Sequence, residues 1–332
     1  MESEAQDDDY DLSVIVPVYN AEAHLKTLVQ RVFALDRLGL RCQMICIDDA
    51  STDQSVPILR ELANQYPGLI VIENHVNRGA GMARNDGWPH ATGRYSIFFD
   101  ADDTLHPEVV VTAVRDMDND PELDLAIFAY RYERDKSAKF TEMGYEDRKI
   151  FDLLLQGNSA VKGEIENMAR LLIFTNYPWN KVLRTAHYRE MGMRFGCTKV
   201  NNDILGHWYS LLLSRKIMVC NAVLCTHIVH PKGANLTNAF GAERLSMFEA
   251  LNETYDFLEA RPACRRRYAH QFWALANRLV AWALPRLDPS LRNEFEVHYT
   301  ELLSRLDLGD LARMRSKRSP ALANSLVNYL IH

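Results

Sequence analysis

From Leu12 onward, the chain alternates β-branched apolar segments with segments whose apolar residues recur at helical spacing. The strand-like segments read LSVIVPVYN, QMICIDD, LIVIENH, RYSIFFDADD and LDLAIFAYRYE. Strands that alternate with helices form a mostly parallel sheet with helices on both faces. The sequence therefore predicts an α/β, Rossmann-like fold for this part of the chain.

Polar residues follow three of these strand-like segments at the point where each one ends. The first ends in Pro17-Val18-Tyr19-Asn20, the second in Asp48-Asp49 and the fourth in Asp100-Ala101-Asp102-Asp103. Ligands of such sheets bind beyond the carboxyl ends of the strands, so the three clusters are expected to converge on one edge.

The acidic cluster after the fourth segment is a candidate metal site. Hard cations such as Mg²⁺ and Mn²⁺ prefer oxygen ligands and often take one or two carboxylates, with water and substrate phosphates completing the shell. Asp102 is the first candidate ligand and Asp100 the second. The alternative is a solvated acidic turn, or a helix cap formed by Asp103 or Thr104.

The acids after the second segment suit a nucleotide base. A carboxylate of Asp48 or Asp49 can accept the N–H of a pyrimidine while Tyr19 packs on the ring. A turn formed by DDASTD is the alternative, and both roles can hold together. Further on, NRGAGMARNDG offers glycines for close backbone approach, and Arg84 near a helix start as a counter-charge for a diphosphate.

Four motifs in order, LSVIVPVYNAEAHL, IDDASTD, NRGAGMARNDG and ATGRYSIFFDADDTLHPE, resemble the nucleotide-sugar domain of family 2 glycosyltransferases of the bacterial polysaccharide and glycoconjugate type. The resemblance implies the GT-A fold and inverting, metal-dependent transfer of a sugar from a nucleotide diphosphate sugar. A UDP-sugar is favoured by analogy, with Mn²⁺ or Mg²⁺ as cofactor. The positions it implies for nucleotide-sugar binding are Pro17, Tyr19, Asn20, Asp48, Asp49, Arg84, Asp100 and Ala101, with Asp102 and Asp100 at the metal.

A looser match, NYPWNKVLRTAHYREMGMRF, resembles the acceptor-side segment of many bacterial members and points to Trp179 and Lys181. Those members usually carry Glu-Asp shortly afterwards, with the Asp as catalytic base. Here the pair is Asn202-Asp203, so the resemblance implies Asp203 as the base and puts acceptor recognition at Asn202 in doubt. An N-cap for the following helix is the alternative role for Asp203.

The segment CTHIVHPKGANLT contains His227 and His230, three residues apart. Ile228 and Val229 favour an extended segment, in which residues three apart face opposite ways, so at most one histidine is expected to face the site. The family resemblance implies a residue here that can complete the metal site, and we choose His230 as this third metal ligand, with a structural histidine as the alternative; Lys232 is a second counter-charge for the diphosphate.

The net charge of −6 argues against a general nucleic-acid binder. The six cysteines form no CxxC pair, and the acidic start MESEAQDDDY is unlike a signal peptide. No apolar run reaches the roughly 18 residues of a membrane span. We therefore expect a cytoplasmic protein, peripheral to the inner face of the membrane if its tail binds lipid.

We divide the chain into a disordered acidic leader (1–10), a nucleotide-sugar half (11–115), an acceptor half (116–242) and a C-terminal helical region (243–332). Residues 150–174 are also expected to be helical. The helical region is expected to complete the core or to form a homo-oligomer. The alternative is a membrane-surface patch, since basic residues precede the apolar stretch of RMRSKRSPALANSLVNYLIH.

The predicted reaction is a single displacement in which Asp203 takes the proton of a hydroxyl on a glycan or lipid-linked acceptor. A polyprenyl-phosphate sugar transferase is the first alternative, because an ionised acceptor phosphate needs no base. A nucleotidyltransferase is less favoured, because its Gly-rich basic signature is missing from the N-terminal region. A nucleotide-sugar-binding module without catalysis is the alternative of another class.

Overall fold

A computed structural model describes residues 10–134, 140–229 and 241–331. Its centre is a ten-stranded mixed sheet in the order β3-β2-β1-β4-β9-β6-β10-β5, with β7 paired to β6 and β8 paired to β10. The strands are β1 (Leu12–Val18), β2 (Cys42–Asp49), β3 (Leu69–Asn74), β4 (Tyr95–Phe98), β5 (Thr104–Leu105), β6 (Leu123–Arg134), β7 (Phe140–Glu142), β8 (Ala160–Gly163), β9 (Lys181–Arg184) and β10 (Lys216–Val229).

Thirteen α-helices are assigned in the described part of the chain. They are α1 (Leu25–Phe33), α2 (Ser55–Ala63), α3 (Ala80–Gly87), α4 (Pro107–Asp118), α5 (Tyr145–Leu155), α6 (Ile165–Met168), α7 (Thr185–Glu190), α8 (Asp203–Leu212), α9 (Ser246–Glu259), α10 (Pro262–Ala283), α11 (Arg292–Ser304), α12 (Leu308–Arg313) and α13 (Pro320–Ile331).

The N-terminal half of the sheet is parallel, as the alternating pattern predicts. Strand β1 pairs in parallel with β2 and β4, and β2 pairs in parallel with β3. Every residue of β2 is buried, which is typical of a strand covered on both faces. Antiparallel β9 then joins β4 to β6, so the sheet is mixed but mostly parallel. The predicted α/β class is confirmed.

The expected helix over 150–174 is wrong. Helix α5 ends at Leu155, and Gln156 and Gly157 then adopt positive φ values of 47° and 86°. A left-handed pair cannot continue a right-handed helix, so the chain turns and forms β8 before the short α6.

The predicted C-terminal helices are confirmed as α9, α10 and α11, and they share the hydrophobic core of the sheet. On α13 the apolar residues Leu322, Ala323 and Leu326 are buried in that core. The apolar half of the predicted membrane patch is therefore used for packing. No helix in the described ranges has both the length and the apolar character needed to cross a membrane. Residues 1–9 of the predicted leader lie outside those ranges, and the proposed domain boundaries stay predictions.

Helix α3 approaches the loop before α8 closely, and Gly81 permits this. A Cβ on Gly81 would lie 2.3 Å from the carbonyl oxygen of Gly196 and 2.6 Å from Cβ of Asn202. A backbone oxygen and a Cβ atom cannot move aside as the far end of a flexible side chain can. The position of Asp203 relative to α3 therefore depends on a residue without a side chain.

We predict that Gly81→Ala lowers the free energy of unfolding by about 1–3 kcal/mol, the usual cost of overpacking. Urea denaturation measures the change. Gly163→Ala is the matched control, because its Cβ would meet the flexible end of Met168 at 3.2 Å. Equal effects of the two substitutions would contradict the close-approach explanation.

Candidate active site

Two adjoining cavities open where the carboxyl ends of β1, β2 and β4 meet. The first has a volume of about 830 Å³ and the second about 650 Å³. Their walls share five residues, Ala80, Arg84, Asp100, Asp102 and Lys199. The predicted residues in the first wall are Pro17, Tyr19, Asn20, Asp49, Arg84, Asp100, Ala101 and Asp102. The second wall contains Trp179, Asn202 and Asp203. Folding therefore brings most of the predicted residues together.

Tyr19 follows β1 directly and remains 53% exposed in the wall of the first cavity. Its neighbour Asn20 adopts a positive φ of 50° and links two loops. The backbone N–H of Asn20 donates to Oγ of Ser51 at 2.9 Å, and the N–H of Thr52 donates to Oδ1 of Asn20 at 2.8 Å. These bonds hold the loop after β1 against the loop after β2 and leave the Tyr19 ring accessible to a planar ligand.

Asp48 and Asp49 have different surroundings, because successive side chains of a strand face opposite ways. Oδ2 of Asp48 accepts from the N–H of Ser51 at 3.0 Å, inside the DDASTD turn, and Asp48 does not contribute to either cavity wall. Asp49 lines the first cavity and accepts from the N–H groups of Arg78 and Gly79, at 3.0 and 2.6 Å. Asp49 thus shapes the loop before α3 as well as the cavity.

Arg84 of α3 bridges the two cavities. Its Nη2 donates to Oδ1 of Asp100 at 2.6 Å, and its Nη1 donates to Oδ1 of Asn202 at 2.9 Å. The guanidinium also lies over the ring of Phe195, 5.2 Å from its centroid. Arg84 is buried, so these contacts are shielded from water. Its charge is compensated by Asp100, and the amide of Asn202 adds a neutral acceptor.

The alternative role for Asp103 or Thr104, a helix cap, is not seen. Helix α4 begins at Pro107 with His106 at its N-cap and no side-chain cap, so neither Asp103 nor Thr104 caps it. Asp103 is buried, and its Oδ1 accepts from Nδ1 of His227 and from the N–H of Ile228, both at 2.9 Å. Burial raises the pKa of Asp103 to about 7 despite this partner. Burial alone would lower the pKa of His227, but Asp103 raises it above its usual value.

His227 lies on the extended strand β10, as predicted, and lines the second cavity. The imidazole stacks on Trp179 at 5.5 Å, and Trp179 stacks on Tyr177 at 4.3 Å. His227 is therefore a histidine of the site that the sequence analysis did not choose. The chosen His230, together with Lys232, lies outside the residues that the structure describes.

The acids at the shared wall suit a hard divalent cation. In the described ranges, no three His, Cys, Asp or Glu side chains are grouped to hold a metal by themselves. Asp102 and Asp100 both line the first cavity, and Asp100 bonds Arg84 through Oδ1. Mg²⁺ and Mn²⁺ often take only one or two protein carboxylates and fill the other positions with phosphate oxygens and water. The residues therefore fit a metal that arrives with a diphosphate.

Asp203 is the first residue of α8 and is half-buried in the wall of the second cavity. No side-chain cap bond is made at this helix start, so the alternative N-cap role is not seen. Burial raises the pKa of the Asp203 carboxyl to about 6, although Arg84 and Lys181 favour the ionised form. A carboxylate with a pKa just below neutrality can accept a proton from a ligand and release it to water.

Lys181 is not part of the wall of this cavity. It is buried, and its Nζ donates to Oδ1 of Asn180 at 3.0 Å and to the carbonyl oxygen of Tyr177. Burial lowers the pKa of Lys181 to about 7, while Asp203 and Asp147 oppose that change. Lys181 therefore holds the 177–180 segment in place and acts on Asp203 through its charge.

Lys199 is a site residue that the sequence analysis missed. It lines both cavities on the loop before α8, and it is exposed. The contact between this loop and Gly79, whose Cβ would lie 3.4 Å from Cα of Lys199, is tertiary. A lysine four residues before the candidate base was the only available signal, and lysines at loop positions are too common to single it out.

Comparison with known proteins gives a family match over residues 13–192, to "Glycosyl transferase family 2". An uncharacterized glycosyltransferase of Escherichia coli, YibD, is 38% identical over 115 residues, which cover 35% of this chain and 32% of that protein. A poly(ribitol-phosphate) β-glucosyltransferase of Bacillus spizizenii is 35% identical over 101 residues, or 30% of this chain and 16% of that protein. The matched region thus spans a third or less of these relatives.

Solved structures show the same fold over nearly the whole chain. Staphylococcus aureus TarS 1-349 in complex with UDP-GlcNAc superposes with a TM-score of 0.73 at 19% identity, covering 96% of this chain and 89% of that one. The mannosyltransferase PcManGT of Pyrobaculum calidifontis, in complex with GDP-Man and Mn²⁺, gives a TM-score of 0.56 at 19% identity, covering 97% and 83%. The expected GT-A fold is confirmed, and with a family match over more than half of its residues, the chain belongs to glycosyl transferase family 2.

Proposed function

We propose that this protein is an inverting glycosyltransferase that moves a sugar from a UDP-sugar to a hydroxyl group of a glycan or lipid-linked acceptor. The observation that carries the proposal is the position of Asp203. This carboxylate, with its pKa raised to about 6, lines a cavity that shares Arg84, Asp100 and Asp102 with the wall beside Tyr19. The proton acceptor Asp203 thus lies next to the proposed binding site of the donor sugar.

In this reaction the nucleotide lies in the first cavity, with its base on Tyr19 and its diphosphate toward Asp102 and Lys199. The acceptor enters the second cavity and gives its hydroxyl proton to Asp203 as the oxygen attacks the anomeric carbon. One base and one leaving group on opposite sides of that carbon predict inversion. UDP is favoured because TarS, a structural neighbour, binds UDP-GlcNAc, and PcManGT shows that a GDP-sugar also suits this fold.

Mn²⁺ or Mg²⁺ held by Asp102 and Asp100 would supply positive charge to the diphosphate leaving group. The chain itself contributes the amino group of Lys199 from the opposite loop. Arg84 contributes less directly, because its two Nη atoms already bond Asp100 and Asn202. Arg84 orients the acids, and Lys199 is the exposed one of the two cations that line both cavities in the described part of the chain.

We predict that Asp203→Asn lowers kcat by about 10²–10⁴-fold, the usual contribution of a general base. In the unsubstituted protein, kcat/KM should rise as the pH increases through about 6, since only the ionised carboxylate accepts a proton. A raised pKa means that the ionised form is disfavoured by folding, so the substitution should not destabilise the protein above pH 6. Sugar transfer at several pH values and thermal unfolding measure both effects.

If the Asp203→Asn variant still binds UDP and still transfers sugar, the assignment of Asp203 as the base is contradicted. That result would favour the first alternative, a polyprenyl-phosphate sugar transferase, whose acceptor needs no base. UDP binding without transfer or hydrolysis for any sugar nucleotide would favour a binding module without catalysis. The family membership and the neighbours' sugar nucleotides favour transfer over nucleotidyl transfer.

We predict that Lys199→Met weakens UDP binding by roughly tenfold and leaves uridine binding unchanged, because the lysine faces the diphosphate and not the base. Calorimetric titration measures both affinities. Lys149→Met is the control, since Lys149 is exposed on α5 beside Glu146, away from both cavities. Equal weakening of UDP and uridine would show that Lys199 does not act on the diphosphate.

We predict the opposite pattern for Tyr19→Ala. Loss of the aromatic ring should weaken the binding of uridine and of UDP by the same factor of roughly ten. This is within the range for removal of one base-stacking side chain. The same titrations apply, with Tyr19→Phe as control, because Phe keeps the stacking face. A loss of affinity for UDP alone, with uridine affinity unchanged, would show that the base does not stack on Tyr19.

The position of the protein in the cell also belongs to this proposal. A glycosyltransferase that uses sugar nucleotides would work in the cytoplasm, at the inner face of the membrane if its acceptor is lipid-linked. Because the apolar face of α13 is packed inward, contact with lipid would depend on basic residues such as Arg315. Self-association through the C-terminal helices is likewise a proposal.

A further inference from the structure

Two arginines lie over the ring of Trp282 at the rim of the second cavity, and a third, Arg278, lies one helical turn before Trp282. Trp282 lies on α10, lines the cavity and is 41% exposed. The guanidinium carbons of Arg244 and Arg286 lie 4.6 and 5.1 Å from the centre of its ring. Arg278 precedes Trp282 by four residues, so both side chains lie on one face of α10, and Arg278 lines the same cavity.

The charges of Arg278 and Arg286 are not matched by carboxylates. Arg278 donates from Nη2 to the carbonyl oxygen of Ile173 at 2.6 Å, and Arg286 donates from Nη1 to the carbonyl oxygen of Trp282 at 2.7 Å. Neither forms an ion pair within the described part of the chain. The acids that act on Arg278, Asp147 and Glu146, do so only from a distance.

Burial acts against the charges of Arg278 and Arg244, and like charge acts between Arg244 and Arg286. Burial lowers the pKa of Arg278 below its usual range, and burial together with Arg286 lowers the pKa of Arg244. A partly desolvated cation costs free energy unless an anion joins it. The planar guanidinium also presents paired N–H donors that match phosphate oxygens.

We propose that Arg278 and Arg286, arranged around Trp282, bind a phosphate group carried by the acceptor. The inference rests on the proposed function, because it takes the second cavity as the acceptor site. The donor diphosphate is assigned to Lys199 and Asp102, in the wall of the first cavity, which Arg278 and Trp282 do not line. A second anionic group, bound on the α10 side, therefore belongs to the other substrate.

This site places acceptor selection on the C-terminal helical region. Helix α10 lies outside residues 13–192, which match the family, yet Leu275, Arg278, Leu279 and Trp282 form one wall of the cavity that contains Asp203. The phosphate would hold the acceptor at the rim while a hydroxyl elsewhere on the same molecule reaches the base. Donor chemistry and acceptor choice would then reside in different parts of the chain.

The test uses the full chain saturated with UDP, so that the first cavity cannot bind the probe. Glycerol phosphate is added at constant ionic strength, and the rise in thermal unfolding midpoint gives its affinity. The double variant Arg278→Met/Arg286→Met should bind glycerol phosphate roughly tenfold or more weakly than the unsubstituted chain. Arg286→Met alone, at an exposed position, should weaken it in the same direction without disturbing the packing of Arg278.

Arg266→Met is the matched control, since Arg266 is an exposed arginine on α10 that lines neither cavity. Glycerol should cause no shift, and glucuronate should bind less tightly than glycerol phosphate. An unchanged glycerol phosphate affinity in both Arg286→Met and the double variant would overturn the inference, as would a preference for glucuronate or no binding by the unsubstituted chain. Failure of that chain to bind UDP would instead count against the proposed function.

Discussion

The rest of the site depends on the two hydrogen bonds that the guanidinium of Arg84 donates. These bonds join Asp100, delivered by β4, to Asn202, which directly precedes Asp203. The two cavities are therefore connected by a buried, charge-assisted bridge and not only by packing. Gly81, one turn earlier on α3, lets the helix come close enough to the loop for this bridge to form.

The surroundings of the acids separate their roles. Asp49 accepts backbone N–H groups, Asp103 is held by His227, and Asp100 is paired with Arg84. Asp203 has the charges of Arg84 and Lys181 nearby, and burial still raises its pKa to about 6. Carboxylates that organise loops thus lie close to one, Asp203, that lines a cavity and has a raised pKa. The separation follows from which carboxylates receive hydrogen bonds and which remain toward a cavity.

Much of the fold was predictable, because strand-like and helix-like periodicity in β1, α1 and β2 is local information. The clustering of Tyr19, Asp49 and Asp100 was predictable too, since strand ends of a parallel sheet share an edge. The role of Asp103 was not, because its partner His227 is 124 residues away. The helix expected over 150–174 was wrong because two left-handed residues outweigh apolar spacing. Strand alternation indicates that Asp48 and Asp49 face opposite ways, but only the folded structure shows which of the two faces the cavity.

The sequence by itself determined the order of strands and helices, the acids at the strand ends and the family resemblance, because each is written in neighbouring residues. The tertiary structure alone decided which cations meet those acids. It brought Lys199 to both cavities, set Lys181 near enough to act on Asp203 through its charge and placed Arg278 and Trp282 of α10 in the wall of the second cavity. Such contacts depend on packing between distant segments, and the energy of a charge depends on the burial and the partners that this packing creates.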